Sequence, residues 1–198
     1  MALFIVGCGG VGREALDVAI ALNERVDAFI DDHHAGETVR GLRVVRPDEA
    51  PAGADYQLGL ADPVARRRLA TVLEQRGLHP RSLVHPRAVI APDTTLAPGC
   101  LVMAGAHVSS NVTMGAHVQV QYNATVGHDA LLDAYVVVLP GANVSGAVHL
   151  AEGAIVGTGA CVLQGRSVGA GGFVGAGAVV TRDVPPNATV VGVPAHIR

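Results

Sequence analysis

The chain contains no tryptophan, and only 3% of its 198 residues are aromatic. A core without large rings must be filled by aliphatic and small side chains. A net charge of −3 leaves no basic excess, which argues against a nucleic-acid or anionic-membrane partner. The 3 cysteines, Cys8, Cys100 and Cys161, are an odd number and are expected as reduced, buried thiols. No apolar run approaches the ~20 residues that a membrane-spanning helix needs. The opening Ala2–Val6 run is too short for the apolar part of a signal peptide, has no basic segment before it and ends in glycines. A soluble cytoplasmic protein is expected, of one or two domains and long enough to bury a real core.

What the chain does have is a period. From Val84 to Val180 an aliphatic residue occupies every sixth position without a miss, beginning Val84, Ile90, Leu96, Val102 and Val108. Four residues after each stands Ala, Cys, Gly, Thr or Val, with Arg166 as the exception. Neither an amphipathic helix nor a flat half-buried sheet repeats in this way. A period of six predicts a β-solenoid in which each hexad is a short strand and a corner, three hexads close a triangular coil, and residues eighteen apart stack. So narrow a prism has room for one aliphatic and one small row per wall, which accounts for the missing rings.

Residues 1–80 follow other rules and read as a separate α/β domain ahead of the solenoid at 81–198. Leu3–Val6 predicts a buried strand, and Gly7 to Gly12 a glycine turn. Arg13 to Asn23 predicts a helix with Ala15, Leu16, Ala19, Ile20 and Leu22 on or near its apolar side. Val26–Ile30 predicts a second strand ending in Asp31 and Asp32, and further strands are expected near Leu42–Val45 and Tyr56–Leu60. Asp62 followed by Pro63 is a helix start, with an acceptor at the cap and a proline where no N–H is needed.

The turn Gly7-Cys8-Gly9-Gly10-Val11-Gly12 matches G-x-G-x-x-G, and Asp31 lies nineteen residues beyond it. Glycines let backbone approach a phosphate, a helix N-terminus offers N–H groups to it, and an acid ending the second strand can bond ribose hydroxyls. A dinucleotide fold has two such halves, whereas here the hexads begin where the second half should. One half suits one nucleotide, so a nucleotide-linked ligand is expected in place of NAD. The competing reading is that the glycines only permit tight strand–helix packing.

The solenoid histidines offer no metal cluster, since no two of His85, His107, His117, His128 and His149 are eighteen apart and no H-x-x-x-x-H pair occurs. His128 differs from the rest: it takes the third place of its hexad, at a corner, with Asp129 directly after it. A carboxylate beside an imidazole fixes its tautomer and raises its basicity, as a general base requires.

The hexads, the tail Asp183-Val-Pro-Pro-Asn-Ala-Thr-Val-Val-Gly-Val-Pro-Ala195 and Val126-Gly-His-Asp129 together resemble the hexapeptide-repeat acyltransferases. The preceding α/β unit narrows the resemblance to the bacterial nucleotide-amino-sugar N-acetyltransferases, which merge with the sialic-acid O-acetyltransferase-like proteins. The resemblance implies a Rossmann-like half-domain followed by a left-handed parallel β-helix, against the usual right-handed crossover. It also implies a homotrimer with acetyl-CoA in the cleft between adjacent β-helices, and no metal. By that resemblance His128 is the general base, Asp129 its orienting acid, and Gly146 a donor to the developing oxyanion. Gly9, Gly10, Val11, Asp31, Asp32 and Gly59 meet the nucleotide sugar, and Val137, Thr158 and Ala176 the coenzyme. The chain departs from the family at Val11 and Val137, where histidine is usual or frequent, and at Gln121, where asparagine is usual. The expected reaction is direct acetyl transfer to the amine of a nucleotide-linked amino sugar. A sialic-acid O-acetyltransferase and a non-catalytic nucleotide-sugar scaffold are the alternatives.

Overall fold

Leu3–Val6 forms strand β1, every residue of it buried, as befits a strand paired on both edges and covered on both faces. The computed structural model describes residues 2–198. These divide into a first unit ending at Pro86 and a second spanning Arg87–Arg198. The first unit holds β1, helix α1 (Gly10–Ala21), β2 (Val26–Ile30), β3 (Thr38–Val39), β4 (Leu42–Val45), β5 (Asp55–Leu58), helix α2 (Pro63–Gln75) and β6 (His79–Pro80). The sheet order is β3-β4-β2-β1-β5-β6, parallel except for β3 against β4. The chain leaves β1 for β2 on one side and later returns to the other side as β5. The carboxyl ends of β1 and β5 therefore flank the switch point where open α/β sheets take ligands.

Local chemistry sets the helix limits. Asp62 Oδ1 accepts from the N–H groups of Val64 (2.8 Å) and Ala65 (2.9 Å), so α2 begins at Pro63 as its cap predicts. Helix α1 starts at Gly10, three residues before the apolar pattern becomes visible, because the glycine turn itself supplies its first turn. Its buried face is Ala15, Leu16, Val18 and Ala19, while Ile20, expected on the apolar side, is exposed. Strand β5 ends at Leu58, two residues short of expectation, where Gly59 turns aside to pack on Gly12. The strand Leu83–Val84 packs on α1, which carries the first unit past residue 80.

The second unit is a left-handed parallel β-helix. Its hexads form two-residue strands whose second residue is the periodic aliphatic one, and successive coils pair in register eighteen residues apart. One wall runs Val102, Val120, Val138, Val156, Val174; a second runs Val108, Val126, Val144, Val162, Val180; a third runs Met114, Leu132, Leu150, Val168. All of these are buried, as are the small residues Ala106, Ala124, Ala142, Ala160 and Ala178, whereas Arg166 stays partly exposed. The fourth place of each hexad from Gly99 to Gly177 has positive φ, and where it is not glycine it is Asn111, His117, Asn123, Asp129, Tyr135 or Ala147. The corner requires the left-handed conformation, which disfavours most side chains and explains the preference for Gly, Asn and Asp.

Candidate functional site

Where β1 turns into α1, the glycines divide into two kinds. A Cβ on Gly12 would lie 1.9 Å from the Gly7 carbonyl oxygen, and one on Gly59 2.5 Å from the Gly12 Cα. Gly7 has φ +89. These three are explained by packing, and the Gly59 N–H is already given to the Val6 carbonyl at 2.8 Å. Gly9 and Gly10 are exposed, and a Cβ on either would meet nothing within 4 Å. Gly9 caps α1 without a side-chain bond, so the first-turn N–H groups stand at an open surface, with Val11 half-buried among them. That is the arrangement by which a helix N-terminus receives an anion.

The acids at the end of β2 also differ from each other. Asp31 Oδ2 accepts from the Cys8 N–H (3.2 Å) and thiol (3.4 Å), and Oδ1 from the His33 N–H (3.0 Å). Partial burial opposes its charge, but the Cys8 and His33 N–H groups outweigh it and hold the carboxyl below its ordinary value. Burial, the bond to Asp31 and the charge of that acid push the Cys8 thiol up to about 11. Asp32 is exposed and lines a cavity of about 250 Å³ together with Gly7, Asp31, His33, Leu60 and Arg68. Among the described residues, Cys8, Asp31 and His34 bring possible metal ligands within 4.8 Å of one another. Both Asp31 oxygens there are already bonded, Oδ2 to Cys8 and Oδ1 to the His33 N–H, and His34 Nδ1 lies 3.3 Å from Glu37.

In the solenoid, His128 Nδ1 lies 2.7 Å from Asp129 Oδ2, and Asp129 Oδ1 accepts from Asn111 Nδ2, also at 2.7 Å. The carboxylate selects the tautomer with the proton on Nδ1 and leaves the Nε2 lone pair free. The Asn111 bond first and the His128 bond second hold the Asp129 carboxyl below its ordinary value. Gly146 stacks one coil beyond His128, and a Cβ there would sit 2.5 Å from Nε2. The Gly146 carbonyl accepts from Gly165 at 3.0 Å, while its N–H meets no acceptor among the described residues. A lone-pair nitrogen and an uncommitted N–H thus share one corner.

Thr158 and Ala176 are both exposed and stacked one coil apart. They follow the wall of Val156 and Val174, whereas His128 and Gly146 follow the wall of Val126 and Val144, so within one chain the two sets lie on different edges of the prism. The Val137 side chain is fully buried and presents no surface of its own. Gln121 is 3% exposed, and its Nε2 has no hydrogen-bond partner among the described residues.

Sequence reasoning missed several of these features. Arg68 lines the cavity from α2, far along the chain from the glycine turn, and its place in an Arg66–Arg68 run disguises it as a solvated helix face. A second imidazole–carboxylate pair, His149 Nε2 to Asp133 Oδ2 at 2.9 Å, joins residues sixteen apart and so escapes a search for adjacent acids. Asn111 was discoverable: it lies eighteen residues before Asp129, the stacking interval.

Known proteins resemble this chain in sequence and fold. The family model for the PglD N-terminal domain matches residues 2–73. GDP-perosamine N-acetyltransferase of Escherichia coli is 31% identical over 167 residues, covering 78% of this chain and 74% of that protein. The crystal structure of a mutant perosamine N-acetyltransferase from Caulobacter crescentus, in complex with CoA and GDP-perosamine, superposes with a TM-score of 0.95 at 30% identity, covering 100% of this chain and 97% of that one. The acetyltransferase domain of PglB from Neisseria gonorrhoeae, in complex with acetyl coenzyme A, gives 0.94 at 34% identity, covering 100% and 98%.

Proposed function

The chain belongs to the nucleotide-amino-sugar N-acetyltransferases of the hexapeptide-repeat acyltransferases, and from that premise we propose that it moves an acetyl group from acetyl-CoA to the amine of a nucleotide-linked amino sugar with His128 as general base. It is an acyltransferase; the acceptor and the roles of individual residues are the proposal. The observation that carries it is the corner at His128, where the free Nε2 and the uncommitted Gly146 N–H adjoin, with Asp129 fixing the imidazole from behind.

The chemistry follows from those groups. The acceptor nitrogen attacks the thioester carbonyl, and its proton passes to His128 Nε2. The carbonyl oxygen becomes an oxyanion, which the backbone N–H of Gly146 stabilises, and the absence of a side chain there leaves the imidazole its room. Collapse breaks the carbon–sulfur bond, the proton goes on to the departing thiolate, and the products are an acetamido sugar and free CoA. Asp129 stabilises the imidazolium between the two proton transfers.

In the first unit, the open N–H groups at Gly9, Gly10 and Val11 suit a diphosphate, and Asp32 with Arg68 offers the cavity both signs of charge for a nucleoside. Asp31 and Gly59 support that site by holding the turn in shape. The coenzyme is met at Thr158 and Ala176, through exposed backbone at a corner, with Val137 filling the wall beneath. Because those positions and His128 lie on different edges, a homotrimer supplies what one chain does not: one protomer's base beside its neighbour's coenzyme wall. The setting is the cytoplasm; among the described residues no helix is long and apolar enough to cross a membrane.

The test is mass spectrometry of products after incubation with acetyl-CoA and a panel of UDP-, GDP- and dTDP-linked amino sugars. One acetyl group added to a sugar amine is the expected result. Addition to a hydroxyl of a sialic acid would instead indicate an O-acetyltransferase, and nucleotide-sugar binding without any transfer a non-catalytic scaffold.

A further inference from the structure

We propose that Asn111 is a positioning residue for the reaction: it acts through Asp129, fixing the carboxylate that fixes His128. The proposal rests on His128 being the base, and its test separates the two.

Asp129 stands at a corner with φ +59, and its side chain is 51% exposed. An exposed carboxylate two rotatable bonds from its backbone is free to turn, and a freely turning carboxylate holds an imidazole poorly. Here both of its oxygens are taken. Oδ2 faces His128 Nδ1 at 2.7 Å, and Oδ1 receives the Asn111 amide at 2.7 Å from one coil below. Asn111 itself has φ +55, and the Asp129 N–H is fixed to the Ser110 carbonyl at 3.0 Å, so the backbone that carries the amide is tied to the backbone that carries the acid. The solenoid register makes this possible: fourth-place residues of successive coils lie directly over one another, and 111 and 129 are such a pair. The result is a relay of amide, carboxylate and imidazole in which each member has one orientation.

The choice of residue is informative. A left-handed corner is satisfied by glycine, which stands at Gly99, Gly105 and Gly165 in the same hexad place. Asparagine also tolerates that conformation but adds a donor aimed at the next coil. A lysine there would add a charge and a flexible stem. An aspartate would set like charge against Asp129. The amide is neutral, short and donating, and it leaves the acid fully ionised with its second oxygen free for the histidine. Besides the Asn111 amide, the group that faces Asp129 is the His128 imidazole.

Asn111→Gly removes the amide and keeps the corner conformation, so the fold is retained. With acetyl-CoA and GDP-perosamine, and free CoA as the readout, this variant is expected to lower kcat by about tenfold while leaving both KM values unchanged. In an Asp129→Ala background the same substitution is expected to cost nothing further, because the residue it acts through is gone. Independently of any acceptor, the Asp129 carboxyl followed by ¹³C NMR in the full chain should titrate at higher pH in Asn111→Gly than in the unaltered protein, with Asn111→Asp raising it more. Full kcat in Asn111→Gly, an undiminished further loss in the Asp129→Ala background, or an unmoved carboxyl titration would each overturn the proposal. Activity that survives His128→Ala would overturn the assignment of the base, and the carboxyl titration would still report on Asn111.

Discussion

Asp31 gives one carboxylate oxygen to the glycine turn at Cys8 and the other to the His33 N–H, whereas Asp32 beside it lines the cavity uncommitted. The two should therefore fail differently. Asp32→Ala is expected to weaken binding of a nucleotide-linked sugar by about tenfold or more, as loss of a hydrogen-bonded charge does, with no change in Tm. Calorimetry and thermal melts measure the two effects separately. Asp31→Asn is expected to lower Tm, because the carboxylate organises the turn from within. Its folded-state carboxyl is held below the ordinary value, so its contribution is complete above the ordinary carboxylate range and is lost as the pH falls through the lowered value. The Asn variant should accordingly show a shallower loss of stability on acidification. The adjacent acids were legible in the sequence as a pair. Which of them remains free was not, because that depends on where the Cys8 and His33 N–H groups point.

Between β1 and α1, spacing alone suggested one glycine motif where the structure has two kinds of glycine interleaved, packed and open. Gly7, Gly12 and Gly59 are excluded-volume contacts, and Gly59 is forty-seven residues from Gly12, so their meeting is a fact of the sheet order and not of the motif. Gly9 and Gly10 are the open ones. Gly12→Ala forces backbone apart and is expected to destabilise the first unit by about 2–4 kcal/mol. Gly9→Ala meets nothing and should cost within about 1 kcal/mol as a poorer cap, yet weaken nucleotide-sugar binding by crowding the phosphate approach. Chemical denaturation of both variants checks this, and equal losses would contradict the division. The cap at Asp62 and the strand Leu3–Val6 were legible because their determinants lie within a few residues. The start of α1 was not, since glycine carries no propensity signal for a helix.

The solenoid was the most legible part of the molecule, because its period states which residue stacks on which before any fold is assumed. The same register that stacks Val108 on Val126 stacks Asn111 on Asp129 and Gly146 on His128. What it could not give were contacts diagonal to the stack, such as His149 with Asp133. Because His128 and the Thr158–Ala176 pair lie on different edges, one chain is expected to be inactive alone, and light scattering at micromolar concentration should give a trimer; an active monomer would remove the shared cleft. The central claim, that His128 held by Asp129 is the base, is tested most directly by kcat as a function of pH for the unaltered chain and for His128→Ala, followed by release of free CoA. The account predicts a fall of about 10²–10⁴ in kcat for a lost general base, together with loss of the rise in rate across the pH range where imidazole sheds its proton. Full activity in His128→Ala, or the same rise in rate without the imidazole, would contradict it.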